Sequence, residues 1–171
     1  MAEKHCVIRT DLMSGTKQPA DLVSLRVYDT KDNPEYIEVE NGTIVELKKL
    51  EEGEREVWIA NLATASSDIN DCAIVAGVEK EYDERKKNLE QYTNVAGKIV
   101  RGYIPRSRNY FSVTAEGFVG GSVPAVDGTI GIGADGKLDA AGSGFGTCVA
   151  IEQAGMYTFY VIRIGKTECA G

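Results

Sequence analysis

Thr147-Cys148-Val149-Ala150-Ile151-Glu152-Gln153-Ala154-Gly155-Met156-Tyr157-Thr158-Phe159-Tyr160-Val161-Ile162-Arg163-Ile164 decides the fold class of this chain. Two runs rich in β-branched and aromatic side chains flank Ala154-Gly155, and a glycine between such runs signals a turn. In the second run Met156, Thr158, Tyr160, Ile162 and Ile164 alternate with Tyr157, Phe159, Val161 and Arg163. Apolar side chains on both faces predict a strand covered on both sides. The stretch therefore reads as a hairpin inside a sheet.

Working outward, the same strand pattern recurs at Lys98 to Ile104, Tyr110 to Ala115 and Thr129 to Ile132, with glycine turns at Gly120-Gly121 and Ala134-Asp135-Gly136. Upstream it recurs at Lys4 to Arg9, Leu22 to Tyr28, Thr43 to Leu47, Arg55 to Ala60 and Cys72 to Val78. The turns there are Asp29 to Pro34 and Asn41-Gly42. The period changes once. Tyr82, Leu89, Tyr92 and Ala96 fall on one helical stripe, and Asp83/Lys87 and Glu81/Arg85 are acid-before-base pairs four residues apart. With Gly97 as a C-cap, this predicts one α-helix from Tyr82 to Ala96. The expected fold is mainly β: short antiparallel strands forming one or two small barrel or sandwich units with that single helix. The expected organisation is an N-terminal β unit over 1–80, a helix and connector over 81–97, and a C-terminal β unit over 98–171, or all three in one domain.

Composition narrows the function classes. The 171 residues carry 19 Lys+Arg and 26 Asp+Glu, a net charge of −7 that repels a phosphate backbone. No stretch approaches the roughly 18 uncharged apolar residues of a membrane helix, and the N-terminus carries no export signal. A soluble protein made in the cytoplasm, without nucleic acid or membrane as partner, is expected. Cys6, Cys72, Cys148 and Cys169 are spaced too widely for a zinc knuckle or redox pair, so they read as free thiols, the first three in the core.

The motifs that could carry chemistry read more plainly as structure. Gly131-Ile132-Gly133-Ala134-Asp135-Gly136 matches a dinucleotide fingerprint, but Lys137 to Gly144 behind it is too short and glycine-rich for the helix that would hold a pyrophosphate, and the motif reads as a hairpin. His5, the sole histidine, reads as an exposed strand residue rather than a catalytic base. Asp68, Asn70 and Asp71 lack the oxygen ladder of a calcium loop and read as turn residues. Glu51-Glu52 reads as solvent-facing, and Trp58 as a core residue. Non-enzymatic, cofactor-free and metal-free is the expectation.

One segment stands apart. From Arg101 to Phe111, three arginines (Arg101, Arg106, Arg108) interleave with three aromatics (Tyr103, Tyr110, Phe111) in an acidic chain. Arginine and tyrosine are enriched at protein interfaces, so Arg101, Tyr103, Arg106, Arg108 and Tyr110 are the candidate contact residues.

The segments at residues 1–12, Gly53-Glu54-Arg55-Glu56-Val57, 82–89, 96–103 and 111–116 resemble small proteins encoded among the head genes of tailed phages and prophages of Gram-positive anaerobes, clostridia in particular. The likeness is to capsid decoration or head accessory proteins. It implies a structural virion protein on the capsid exterior, reinforcing the shell, with the major capsid protein as partner and a homo-oligomer such as a trimer as a further expectation. The shells concerned present acidic surface, which makes a positive patch with aromatic anchors the implied attachment surface. The alternative is a head-fibre base or a module binding host-surface glycans.

Overall fold

The computed structural model describes residues 4–13, 21–29, 35–79 and 89–165. Within them the chain is mainly β, as expected, in two sheets. The first holds β1 (Leu22–Asp29), β2 (Glu35–Tyr36), β3 (Ile44–Glu51), β4 (Glu54–Leu62), β5 (Cys72–Val75) and β6 (Val100–Tyr103). Its order is β2-β1-β4-β3-β5-β6, and β6 also pairs with β1. That last pairing, Leu22↔Tyr103 through Leu25↔Val100, closes five strands into a small barrel. All its pairings are antiparallel except β1 with β4, which run parallel.

Closure explains the composition of the barrel interior. Leu25, Val27, Val45, Ala60, Ala73, Val75 and Val100 form one buried cluster, with Trp58 and Leu62 packed against it. A five-stranded ring leaves little room. A Cβ on Gly102 would lie 2.6 Å from a methyl of Leu25 and 3.3 Å from the Ala73 Cβ, so glycine is the residue that fits. Trp58, expected as a core residue, is only partly buried and packs against the edge of this cluster.

The second sheet holds β7 (Tyr110–Val113), β8 (Thr129–Ile132), β9 (Leu138–Asp139), β10 (Gly146–Ala154) and β11 (Tyr157–Ile164), in the order β7-β11-β10-β8-β9. The expected hairpin is its centre, closed by Gly155 at φ +62°. β11 is buried on both faces only in its middle, where Phe159, Val161 and Ile162 are covered, while Arg163 emerges. The dinucleotide-like stretch is the hairpin β8–β9, with no helix behind it. Its turn residue Gly136 has φ +70°, and its N–H donates to the Ala63 carbonyl of the barrel. A Cβ there would meet the Ile44 carbonyl oxygen at 2.3 Å.

One core joins the layers. Ile44, Cys72, Ile74 and Tyr103 from the barrel's outer face pack with Phe111, Val113, Cys148, Ile162 and Ile164 of the sheet. β5 is buried at all four positions because Cys72 and Ile74 face the sheet while Ala73 and Val75 face the barrel interior. The passage between layers falls after Tyr103, so β6 belongs to the first sheet. The N-terminal segment lies along β7 of the second: Arg9 N–H donates to the Ser112 carbonyl and Thr114 N–H to that of Val7. Asn41-Gly42 is a turn, as read from sequence, with Gly42 at φ +87°.

The expected helix from Tyr82 to Ala96 is corrected over its described part; residues 82–88, like the Thr30 to Pro34 portion of the expected turn, lie outside the described residues. Leu89–Gln91 forms a single 3-10 turn, and the chain then runs extended, with Val39 and Asn94 bridged. The physical reason is side-chain competition. Asn94 is buried and donates to the Val39 carbonyl and to Asn41 Oδ1, while Thr93 bonds Glu38, contacts a helix would break. Gly97 has positive φ, but as part of a tight turn rather than a helix cap.

Candidate interaction groove

The five contact candidates divide into three environments. Tyr103 is buried between the layers, because it alternates with Gly102 and so points away from the barrel interior into the shared core. Arg106 reaches Asp21, whose carboxylate is 2% exposed. Its other oxygen has no partner among the described residues, so this arginine is the counter-ion of a buried charge. Arg108 holds φ +74° in the turn between β6 and β7, and its N–H donates to the Ile164 carbonyl, pinning the turn to the end of β11. Tyr110 is half exposed at a narrow fissure it shares with Tyr103, Pro105 and Met13. Arg101 lies apart from that fissure.

Arg101 instead lines an open cleft of about 380 Å³ on the barrel's flank. Its lining includes Val78, Val95, Lys98, Ile99 and Arg101, with Val95 and Lys98 at the two ends of the turn before β6, where Lys98 N–H donates to the Val95 carbonyl. A buried polar lattice holds the walls in place. Asn41 donates to the Gly77 carbonyl (3.1 Å) and accepts from Gly77 N–H and Asn94 Nδ2 (both 2.9 Å). The Tyr92 hydroxyl donates to the Val78 carbonyl at 2.9 Å. Burial raises the Glu79 carboxyl above the usual carboxylate range, against the hydrogen bond it accepts from Asn41. A wall fixed by satisfied side-chain amides is pre-organised, which lowers the entropy lost on binding.

The groove surface is unusual for an acidic protein. Val78 is 68% exposed, Val95 51% and Ile99 48%, and both flanking charges, Lys98 and Arg101, are exposed cations. Such a surface suits apolar side chains accompanied by carboxylates. Of the residues read from sequence, only Arg101 belongs here. Val95 went unread because 82–96 looked helical, and Val78, Lys98 and Ile99 because 72–78 and 98–104 looked like plain strands. The signal present was the apolar-basic alternation Val95-Ala96-Gly97-Lys98-Ile99-Val100-Arg101.

Elsewhere the polar clusters are structural. His5 is not an exposed strand residue: its Nδ1 lies 3.0 Å from Glu40 Oε1, and Cys6 N–H donates to the other carboxylate oxygen at 3.0 Å, so Glu40 secures the N-terminal segment. Glu51 is likewise not free in solvent, but bonds Arg26 and the Tyr36 hydroxyl. Asp68 accepts from Asn70 N–H at 2.9 Å and caps a 3-10 turn, the turn role expected of it. Cys6, Cys72 and Cys148 are buried free thiols, with Cys6 and Cys72 pushed up to about 12, chiefly by burial. Cys169 lies outside the described residues. Among the described residues no three His, Cys, Asp or Glu side chains cluster as metal ligands, and no helix is long and apolar enough to cross a membrane. Comparison with protein-family models, curated proteins and solved structures finds no match to this chain.

Proposed function

We propose that this chain is a non-enzymatic structural virion protein that decorates the exterior of a tailed-phage capsid, holding the shell through its groove. The observation that carries the reading is the groove itself: three exposed aliphatic side chains and two exposed cations lining one cleft, in a chain of net charge −7. The groove complements an acidic surface that the remainder of this protein would repel, and its exposed aliphatic side chains give the contact affinity as well as steering. The sequence resemblance to head accessory proteins supplies the shell and its major capsid protein as the partner.

Reinforcement is then a matter of mass action. A protein that binds assembled shell and not dissociated subunits stabilises the shell by RT ln(1 + [L]/Kd) per site, and many copies multiply a modest gain. The test is co-sedimentation with shells assembled from the major capsid protein of the phage or prophage that carries this chain. Lys98→Ser/Arg101→Ser should fold as the parent does yet decorate less, with the deficit widest at low salt. Val95→Ser/Ile99→Ser should reduce occupancy at every salt concentration. Undiminished decoration by both variants would overturn the groove assignment, and no co-sedimentation of the parent would overturn the capsid reading.

A further inference from the structure

Asn41 is the only asparagine in the chain that precedes a glycine. In such a pair no Cβ on the second residue shields its backbone nitrogen, which is then free to close a five-membered ring onto the side-chain amide carbon. Here the fold holds both reacting groups in other bonds. Gly42 N–H donates to the Val75 carbonyl at 2.7 Å. The Asn41 amide is fixed at both ends: Nδ2 donates to the Gly77 carbonyl at 3.1 Å, and Oδ1 accepts from Gly77 N–H and Asn94 Nδ2, both at 2.9 Å. The residue is 1% exposed. Gly77 and Asn94 lie 36 and 53 residues away in sequence, so this clamp exists only once the barrel has brought them together.

We infer that Asn41 is a deamidation site that the assembled barrel keeps closed, and whose conversion the fold cannot accommodate. In the reaction the Gly42 nitrogen gives its proton to solvent and attacks Asn41 Cγ. A C–N bond forms, the Cγ–Nδ2 bond breaks, and the amide nitrogen takes up a proton and leaves as ammonia. Water then opens the cyclic imide at either carbonyl, leaving aspartate or isoaspartate at position 41. One water enters and one ammonia departs, with nothing oxidised or reduced. In the closed fold Val75 holds the Gly42 N–H, and the amide cannot turn toward it without breaking the three bonds to Gly77 and Asn94. The rate therefore follows the population of chains in which this part of the barrel is open or unformed.

Neither product can rebuild the clamp. An oxygen in place of Nδ2 would set a new negative charge against the Gly77 carbonyl and against Glu79 Oε1, which lies 3.5 Å from Nδ2. Isoaspartate adds a backbone carbon to a turn with no slack: a Cβ on Gly42 would lie only 2.7 Å from the Cys6 sulfur. Gly77, released from Asn41, directly precedes Val78 of the groove. The inference concerns the covalent chemistry of the chain and stands independently of what the groove binds.

Incubating the full chain at mildly alkaline pH, folded and in urea, with peptide mass spectrometry at each asparagine, tests it. In urea Asn41 should convert ahead of every other asparagine, and at least about tenfold faster than in the folded chain, equal to about 1.4 kcal/mol of opening. Asn94→Ala removes one donor to Asn41 Oδ1 and the bond to the Val39 carbonyl. It should speed conversion of the folded chain severalfold and leave the rate in urea unchanged. If that variant fails to fold, Tyr92→Phe takes its place with the same expectation, since the Tyr92 hydroxyl bonds the Val78 carbonyl and Asn94 Oδ1. Asn41→Asp, identical to one product, should unfold at a lower urea concentration than the parent. Folded and unfolded rates that differ by less than tenfold, a folded Asn94→Ala or Tyr92→Phe chain converting no faster than the parent, or an Asn41→Asp chain as stable as the parent would each overturn the inference.

Discussion

The barrel and the open sheet fill and finish themselves in different ways. The barrel closes through β1 and β6, and its narrow interior takes Ala60, Ala73 and Gly102 among aliphatic side chains. The sheet stays open and contributes rings to the shared core: Phe111 and Phe145 meet edge to face at 6.2 Å, and Phe118 lies under Tyr160. Closure removes strand edges, so the barrel offers partners its flank, where the groove lies. An open sheet leaves an edge, here residues 150–154 of β10, paired among the described residues with β11 alone. The contrast teaches that closure decides what kind of contact a β layer can make.

The largest expected effect breaks the seam between them. Phe111 is 1% exposed and touches both layers' core, so Phe111→Ala should cost about 3–5 kcal/mol. Barrel and sheet signals, read respectively by Trp58 fluorescence and hydrogen exchange of β10–β11, should melt together at a lower midpoint. Separate transitions would show that the layers do not share cooperativity. Gly102→Val attacks the barrel alone by overpacking, at about 1–3 kcal/mol, and the two probes should again move in step.

How far this contrast was legible in the sequence depends on range. The hairpin at Thr147 to Ile164 and the β8–β9 turn were readable because alternation and glycine turns are local signals. Barrel closure was not, since nothing in Leu22–Asp29 announces that it pairs with both 57–61 and 100–103. β3 runs past its expected end, Leu47, to Glu51 because Lys48 and Lys49 line the solvent-exposed end of its hairpin with β4, while β4 continues past Ala60 to Leu62 by pairing with Val45. The helix reading failed on Thr93 and Asn94, whose partners Glu38, Val39 and Asn41 lie more than fifty residues away. For the site, the arginine-aromatic interleaving pointed to Arg101, which lines the groove. It could not show that Arg106 belongs to Asp21 or that Tyr103 is covered.

The next effect separates holding the fold from meeting a partner. Arg106→Ser strands the Asp21 carboxylate and should cost about 2 kcal/mol in urea unfolding, the range for orphaning a buried polar group when its partner was partly solvated. Arg101→Ser, an exposed change, should stay within about 0.5 kcal/mol. Equal losses from both would erase the distinction between the crossover and the groove.

Acid and base test different groups of the fold. Hydrogen bonds from Lys48 and Ser67 hold the Glu46 carboxyl below the usual carboxylate range, and those from Tyr36 and Arg26 do the same for Glu51; both glutamates belong to the barrel. A depressed carboxylate adds stability above its unfolded value near 4.5 and loses it as pH falls through the folded one. Melting temperature should therefore drop from about pH 5 downward, and Glu51→Gln should flatten that slope. The buried thiols act at the other end. Cys6 and Cys72, raised from 9.0 to about 12, keep their protons in the folded state, so their contribution is complete below pH 9 and is lost as pH rises toward 12. Cys72→Ala should lessen the alkaline slope while leaving the acid slope unchanged.

The smallest effect compares the two hairpins, one in each layer. β3–β4 turns at Glu52-Gly53 with Gly53 at φ +84°, and β10–β11 turns at Gly155-Met156 with Gly155 at φ +62°. A Cβ on either glycine would meet nothing within 4 Å, so alanine there suffers backbone strain and no clash. The left-handed region costs a residue with a Cβ about 1–2 kcal/mol, and Gly53→Ala and Gly155→Ala should each lower stability by about that amount. Met156→Ala, at a side chain 80% exposed, should change stability by less than about 0.5 kcal/mol. If the two alanine variants differ by more than the measurement error, the layer around one turn contributes something that turn geometry does not. In that case the hairpin with the larger loss marks the layer whose strands rely more on their turn for register.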